Sequence, residues 1–250
     1  MKKTALAVSL LLAILSAVSC SGKSENATDK TEATTTVTTA EAETTSEADA
    51  TTEAAISEVE LPDPAEGTGF KSATIEGNVY TSEYAGMKIS LSDDMEIEDR
   101  AATEEELKQM WSMFDSEYQE MLKKEIIELQ AHHDYEGFIV TYYNTKLMFP
   151  DEENVTEDYF IEKGDIVLPA TDSEEELQQI LDEEGAVVTG PEKITMGGKE
   201  YSKVFIKLEG YGLDLIYYVR KIDDDFTLVI MSQGETGFDH TKFEKSVSSV

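Results

Sequence analysis

A change in composition near residue 65 limits where this chain can build a hydrophobic core. Residues 21–65 contain 11 Thr, 9 Ala and 11 acidic side chains, and they contain no aromatic residue. A segment of this composition cannot bury enough apolar surface to offset the entropy lost on ordering, so we expect it to be disordered. The core must then come from residues 66–250, whose length is typical of one domain.

The charge of the chain excludes one class of partner. It carries 53 acidic and 20 basic side chains, which gives a formal net charge of −33 at pH 7. Nucleic-acid binding needs a basic stripe, and none is visible, so we expect no nucleic-acid partner. Carboxylates also occur in so many pairs that their spacing does not single out a catalytic pair.

The first twenty residues have the pattern of an export signal. Two lysines precede an apolar run over residues 5–17, which is too short to span a bilayer. The sequence Ala17-Val18-Ser19-Cys20 then resembles the lipobox of bacterial lipoproteins, in which cleavage occurs before a cysteine that is lipidated on sulfur. The resemblance implies a signal peptide over residues 1–19 and a lipid anchor, such as palmitate, at Cys20. The alternative is an ordinary signal peptide that ends near a cysteine.

These features predict a location and a domain order. Two or more acyl chains on Cys20 would hold the protein stably on the extracytoplasmic face of the cell membrane. Residues 20–65 would form an acidic Thr/Ala/Glu-rich tether, and residues 66–250 would form one domain. Because Cys20 is the only cysteine, we expect neither disulfides nor thiolate chemistry in that domain.

Local patterns predict helices and strands within residues 66–250. Residues 103–106 and 173–176 each match a capping box, which marks the start of a helix. Apolar residues recur at helical spacing from Leu107 to Leu129, with a possible second start at Ser116. Strands are predicted where apolar and polar residues alternate, or where turn residues bound an apolar run. These segments are 79–84, 87–91, 138–143, 194–196, 201–208, 213–222 and 226–232.

The strands of the C-terminal third carry apolar residues on both faces. Val204, Ile206 and Leu208 lie on one face of their strand, and Tyr201 and Phe205 lie on the other. A sheet with two apolar faces must be covered on both. We therefore predict an α+β fold, in which an antiparallel sheet has helices on both faces.

Several short runs resemble one family. They are the hairpin around Tyr84-Ala85-Gly86-Met87, the acidic Thr103-Glu104-Glu105-Glu106 helix start, the Gly197-Gly198-Lys199-Glu200-Tyr201 turn and the Tyr217-Tyr218-Val219-Arg220 strand. Together they look like lipoproteins of gut Firmicutes, whose domain is similar to the PsbP-like α/β/α sandwich of the photosystem II extrinsic subunit. The resemblance implies an accessory or binding role and brings no catalytic residues with it.

The chemistry-bearing residues favour no enzyme class. The three histidines, His132, His133 and His240, could converge on a metal, but the first two are adjacent at the end of a predicted helix, where a solvated position is expected. The sequence contains no nucleophile elbow, phosphate-binding loop or dinucleotide fingerprint. We therefore predict no catalytic residues, no metal site and no cofactor.

Tyrosines are the candidates for ligand contact. Tyr142, Tyr217 and Tyr218 offer amphipathic rings that could stack on sugars or line an interface, although strand tyrosines more often pack in a core. A group of Met110, Trp111, Met113 and Phe114 at helical spacing favours core packing in the same way. The leading hypothesis is a non-catalytic binding or accessory module for a cell-wall polymer, a glycan or an envelope protein. The alternative is an extracellular hydrolase that uses carboxylates which the sequence does not reveal.

Overall fold

The computed structural model describes residues 61–169, 171 and 173–250. These residues form eleven strands, six helices and a 3-10 turn at Trp111–Met113. The strands are β1 (Thr74–Glu76), β2 (Val79–Ser82), β3 (Met87–Ser90), β4 (Glu96–Asp99), β5 (Glu125–His133), β6 (Glu136–Asn144), β7 (Ala186–Met196), β8 (Lys199–Leu208), β9 (Leu213–Lys221), β10 (Phe226–Glu235) and β11 (Val247–Ser249). The helices are α1 (Arg100–Met110), α2 (Ser116–Leu122), α3 (Thr145–Met148), α4 (Glu157–Lys163), α5 (Glu174–Glu184) and α6 (Thr241–Ser246).

A seven-stranded antiparallel sheet organises the fold. Its strand order is β4-β5-β6-β10-β9-β8-β7, so most neighbours in the sheet are also neighbours in the chain. The exception is the pairing of β6 with β10, which joins the two halves of the sheet at its centre. Nearly every residue of β6, β9 and β10 is buried, because both faces of the sheet are covered.

The prediction of helices on both faces of the sheet was wrong. One face packs mainly against a second antiparallel sheet, of order β1-β2-β3-β11, whose Tyr80, Met87 and Ile89 are fully buried between the two sheets. Helix α6 adds Phe243 to this layer. Strands hold 40% of the described residues and helices 26%, so the architecture is mainly β. The sequence established that both faces are apolar, but it did not establish what covers each of them.

Helices cover the other face. Phe160 and Ile161 of α4 and Leu181 of α5 pack against the outward side chains of the central strands, together with Ile166 and Val167 from the loop after α4. This layer therefore holds both α4 and the loop that follows it against the sheet.

The β2–β3 hairpin and the helix start at Ser173 follow the sequence pattern, whereas α1 begins at Arg100 after the cap Asp99 and not at the predicted capping box of residues 103–106. Strands β2 and β3 pair around a turn in which Gly86 has a φ of 64°, a conformation that favours glycine. Helix α5 begins after Ser173 and ends at Gly185, whose φ is 63°. The strand predictions for residues 138–143, 201–208, 213–222 and 226–232 are confirmed by β6, β8, β9 and β10.

The helix predicted to run from Thr103 to Leu129 is wrong beyond Leu122. Residues 125–133 form β5, which pairs with β4 and β6. The register of β5 shifts between Ile127 and Leu129, and this bulge places these two residues, which a regular strand would put on the same face, in different layers of the core. The bulge hides the period-2 pattern, so the segment resembles a continuation of the helix. Met113, which lies before this segment, is 80% exposed. The core packing predicted for Met110, Trp111, Met113 and Phe114 is therefore wrong at Met113.

We expect Ser173→Ala to lower the free energy of unfolding by about 1 kcal/mol. The Ser173 hydroxyl accepts a hydrogen bond of 3.2 Å from the Glu176 amide. Amides in the first turn of a helix have no backbone acceptor within the helix, so the side-chain cap supplies one. Urea denaturation of both proteins measures the difference. Ser112→Ala, at an exposed serine, provides the control, and an equal effect of both substitutions would contradict the capping role.

The described region begins close to the predicted tether. Asp63 forms an ion pair of 3.3 Å with Arg100, and the Pro64 carbonyl accepts a buried hydrogen bond of 2.8 Å from Asn144. The chain is therefore packed against the domain a few residues before position 66. Residues 1–60, which include Cys20, lie outside the described residues. Within the described part, no helix combines the length and the apolar character that crossing a membrane requires.

Candidate ligand-binding site

A cavity of about 450 Å³ lies between α2, α3 and the loop after α4. This volume falls within the range of about 300–1,000 Å³ that is usual for small-molecule sites. Its lining residues are Asp115, Ser116, Glu117, Tyr118, Glu120, Met121, Lys124, Met148, Gly164, Asp165 and Ile166. The cavity has an apolar part, formed by Met121, Met148, Ile166 and the Tyr118 ring.

Side-chain caps fix the two helices that form the walls. Asp115 accepts a hydrogen bond of 2.8 Å from the Tyr118 amide and so starts α2. Asn144, at the end of β6, accepts one of 3.0 Å from the Leu147 amide and so starts α3. Tyr118 and Met148 therefore lie on helices whose first turns are fixed by side-chain caps.

The rim of the cavity is acidic. Asp115, Glu117, Glu120 and Asp165 are exposed at it, while Lys124 is the one base among the described lining residues. Glu120 is paired with Lys123, which lies outside the lining. The carboxylates therefore outnumber the cations at the rim, and the field at the mouth of the cavity is negative.

One lining residue of the cavity, Tyr118, interacts with a buried carboxyl, that of Glu125, which is not itself a lining residue. The Tyr118 side chain is 8% exposed and Glu125 is 6% exposed. Within the described part of the chain, the Tyr118 hydroxyl and both Glu125 carboxylate oxygens are buried without a hydrogen-bond partner of normal geometry. Burial of an unpaired carboxyl disfavours its charged form, and it raises the pKa of Glu125 to about 7.

Two phenols, those of Tyr118 and Tyr143, interact with this carboxyl. Tyr143 is the neighbour that opposes the rise in the Glu125 pKa, and the Glu125 charge in turn raises the pKa of both Tyr118 and Tyr143, after the larger effect of burial. Both phenols therefore stay neutral at physiological pH. No cation among the described residues contributes to the Glu125 pKa, so the carboxyl has no counter-charge of its own.

Glu125 lines a smaller cavity of about 230 Å³ on the side of α1. The cations of that cavity include Arg100, which is held by Glu104 at 2.6 Å and by Asp63. Glu125 therefore lines the smaller cavity and not the larger one, whose lining includes Tyr118.

The arrangement supports binding better than acid catalysis. A carboxyl with a pKa of about 7 could in principle donate a proton at neutral pH, as the hydrolase alternative requires. Both oxygens of Glu125 are shielded from solvent, however, so they do not reach a substrate in this structure. An apolar cavity with a charged rim and a few convergent polar groups is typical of a ligand site.

The three tyrosines proposed as ligand contacts are all in the core. Tyr142 and Tyr218 are 0% exposed and Tyr217 is 3% exposed. The Tyr142 hydroxyl lies 2.9 Å from the Ser82 hydroxyl, and the Tyr218 hydroxyl donates to Glu244 at 3.2 Å. Tyr217 lies on the opposite face of the sheet from the other two. The structure therefore does not bring the three rings together, and none presents its face to solvent.

The histidines are also dispersed. His132 is buried near Glu96, whereas His133 is half-exposed beside Asp94 and Asp134. His240 lies 3.3 Å from the Ser232 hydroxyl through Nδ1. No group of three or more potential metal ligands occurs within residues 61–169, 171 and 173–250.

Sequence reasoning did not identify Glu125 because it assigned residues 125–129 to a helix, whereas they begin strand β5. In a helix, the Glu125 side chain would be expected to be exposed to solvent. The available signal was the placement of Glu125 directly before Ile126 and Ile127, a β-branched pair that is favoured in strands.

Comparison with known proteins adds no further constraint on the site. No protein-family model matches the chain, and no curated protein matches it. The inference of a function therefore depends on the sequence features and on the geometry described above.

Proposed function

We propose that this protein is a lipid-anchored extracytoplasmic lipoprotein and that its domain is a non-catalytic binding module. The observation that carries the proposal is the cavity of about 450 Å³ with an apolar interior and an acidic rim. The lipobox-like sequence ending at Cys20 supports the anchor, and the acidic segment after it supports display away from the membrane surface. The similarity to Firmicutes lipoproteins stays a prediction that agrees with this role.

A cavity-blocking variant tests the binding role. The full chain is screened by thermal unfolding against cell-wall fragments, glycans and small organic ions, in parallel with Met148→Trp, which fills the apolar part of the cavity. A ligand at a hundred times its dissociation constant should stabilise the wild type by about 2.7 kcal/mol and should not stabilise the variant. Failure of every ligand, or equal stabilisation of both proteins, would count against a ligand site in this cavity.

The same complexes distinguish binding from hydrolysis. A ligand that is recovered chemically unchanged after incubation, as measured by mass spectrometry, supports a binding module. Cleavage of the ligand that is lost in Glu125→Gln would establish the hydrolase alternative.

We expect Cys20→Ala to abolish lipid attachment and to move the protein out of the membrane fraction or leave it as an uncleaved precursor. The physical reason is that the acyl chains supply the membrane affinity, and Cys20 is the only thiol that can carry a thioether-linked lipid. Metabolic labelling with an alkyne fatty acid, followed by membrane fractionation, measures both effects. Ser19→Ala keeps the cysteine and is the control, while undiminished labelling of Cys20→Ala would refute the anchor.

A further inference from the structure

Residues 236–250 form a small part of the layer that covers one face of the seven-stranded sheet. This 236–250 segment consists of a loop, the six-residue helix α6 and the three-residue strand β11, which pairs with β3 alone among the described strands. Its buried apolar side chains are Phe243 and Val247. The Phe243 ring centroid lies 5.0 Å from that of Phe138 and 5.5 Å from that of Tyr218. A short helix and a short edge strand can open at a lower free energy than the sheet on which they lie.

His240 attaches this segment to the sheet at the point where the loop meets α6. The residue is 6% exposed, and its Nδ1 atom lies 3.3 Å from the hydroxyl of Ser232 on β10. The imidazole ring packs edge-on against Phe238, with 4.9 Å between the ring centroids, and its centroid lies 6.5 Å from that of Phe205 on β8. The Nε2 atom is buried without a hydrogen-bond partner within the described part of the chain. The imidazole is therefore enclosed between the segment and the sheet.

The surroundings of the imidazole favour its neutral form. Burial is the main influence, and it lowers the pKa of His240 below the ordinary value of 6.5. Lys203 of β8 acts in the same direction, whereas Asp214 of β9, Glu244 of α6 and Asp239 of the loop favour the charged form. Lys203 and Glu244 are themselves paired at 2.8 Å, so their opposite charges offset each other. The carboxylates therefore reduce the effect of burial and do not reverse it.

Protonation of the imidazole favours an open segment. A buried imidazolium loses its hydration, whereas water solvates the same group once the segment has opened. The open form therefore binds the proton more tightly, and acid shifts the equilibrium towards it. The stability of the closed segment is fully present above pH 6.5, and it is lost as the pH falls from that value towards the lower pKa of His240 in the folded protein.

We propose that His240 is an acid-sensitive latch, whose protonation releases the 236–250 segment while the seven-stranded sheet stays folded. Release withdraws Phe243 from the layer between the two sheets and uncovers the edge of β3. It also opens a cavity of about 310 Å³ that α6 helps to line, and whose other lining residues include Phe138 and Ser232. The latch lies apart from the larger cavity, so it does not depend on the proposed binding function.

Hydrogen–deuterium exchange of the full chain, followed by mass spectrometry between pH 5 and pH 7.5, tests the latch. Measured rates are divided by the intrinsic exchange rates at each pH, and peptides from β6 and β10 report on the central sheet. We expect the protection of the 236–250 segment to fall several-fold from pH 7.5 to pH 5, while β6 and β10 stay protected. The upper limit is about thirtyfold, because a histidine with a pKa of 6.5 in the open form favours protonation by that factor at pH 5.

Two substitutions assign the effect to one histidine. His240→Asn keeps a hydrogen-bonding group near the Nδ1 position and cannot be protonated, so the protection of the segment should be equal at pH 7.5 and pH 5. His133→Asn removes a half-exposed histidine from the end of β5 and should open with acid as the wild type does. Each variant is compared with itself at two pH values, so a constant change in stability caused by the substitution cancels.

The imidazole proton signals of the wild type in NMR spectra provide a readout that needs no folded variant. The His240 signal should titrate with a midpoint below pH 6.5, and a midpoint at or above that value would overturn the latch. Protection of the segment that is independent of pH in the wild type would overturn it as well. An acid-induced loss that persists in His240→Asn would assign the effect to another group. An equal loss of protection in β6 and β10 would show global unfolding and not release of the segment.

Discussion

Replacing Glu125 by glutamine should make the folded protein about 3 kcal/mol more stable than the wild type at pH 8 and leave the two proteins about equally stable at pH 4. The cause is the cost of burying an unpaired carboxylate. The pKa of the Glu125 carboxyl is about 7 in the folded protein, against 4.5 for an ordinary glutamate in the unfolded chain. Each tenfold difference in proton affinity corresponds to about 1.4 kcal/mol.

The direction of the effect follows from which state holds the proton more tightly. Between pH 4.5 and pH 7 the unfolded chain has released the Glu125 proton, whereas the folded protein still holds it. The free energy of unfolding of the wild type therefore falls as the pH rises through this window, and the loss is complete above pH 7. Tyr118 and Tyr143 do not ionise in this range, because their pKa values are raised further above it.

Urea denaturation at a series of pH values measures the difference between wild type and Glu125→Gln. Titration of other groups is common to both proteins and cancels in the difference. Glu83→Gln, at an exposed position, should give no pH-dependent difference from the wild type. A stability difference for Glu125→Gln that stays constant from pH 4 to pH 8 would show that this carboxyl is not the titrating group.

We expect Phe160→Ala to destabilise the protein by about 4 kcal/mol. The Phe160 side chain is 0% exposed, and its ring centroid lies 5.6 Å from that of Tyr143 and 6.1 Å from that of Phe149. Its removal leaves a cavity between α4 and the sheet, in the layer that also positions the loop lining the candidate site. The loss combines the transfer free energy of the ring with the cost of the empty volume.

Denaturant unfolding of the full chain measures this effect, with Glu162→Ala as the control on the exposed side of the same helix. That control should change stability by less than about 0.5 kcal/mol, because it alters neither packing nor a buried bond. A loss below about 1 kcal/mol for Phe160→Ala would contradict the packing of α4 against the sheet.

Local patterns in the sequence were sufficient for most strand and turn positions. The hairpin at Gly86, the β7–β8 turn at Gly197-Gly198 and the Ser173 cap each depend on residues that are neighbours in the chain, and the structure agrees at all three. The helix beyond Leu122 was predicted wrongly, because pairing of β5 with β4 and β6 overrides the local helical spacing. The bulge at Ile127 removed the alternation that would have revealed a strand.

The candidate site was not accessible to the same reasoning. Its walls come from α2, α3 and the loop after α4, which are spread over residues 115–166 of the sequence. In the sequence, Tyr118 is one of several residues at helical spacing between Leu107 and Leu129, and Glu125 is one of 53 acidic residues. The burial of that carboxyl could not be predicted from the sequence, since it depends on tertiary packing that brings Glu125 close to Tyr118 and Tyr143.

The sequence by itself determined the acidic character of the protein, its single cysteine and the need to cover two apolar sheet faces, and it predicts the N-terminal signal and the tether. Only the tertiary structure decided what covers them. A four-stranded sheet, assembled from residues 74–90 and the C-terminal strand β11, covers one face, and α4 and α5 cover the other. The physical reason is that apolar patterning records how much surface each element must bury, whereas the choice of partner depends on pairing between segments that lie far apart in the chain.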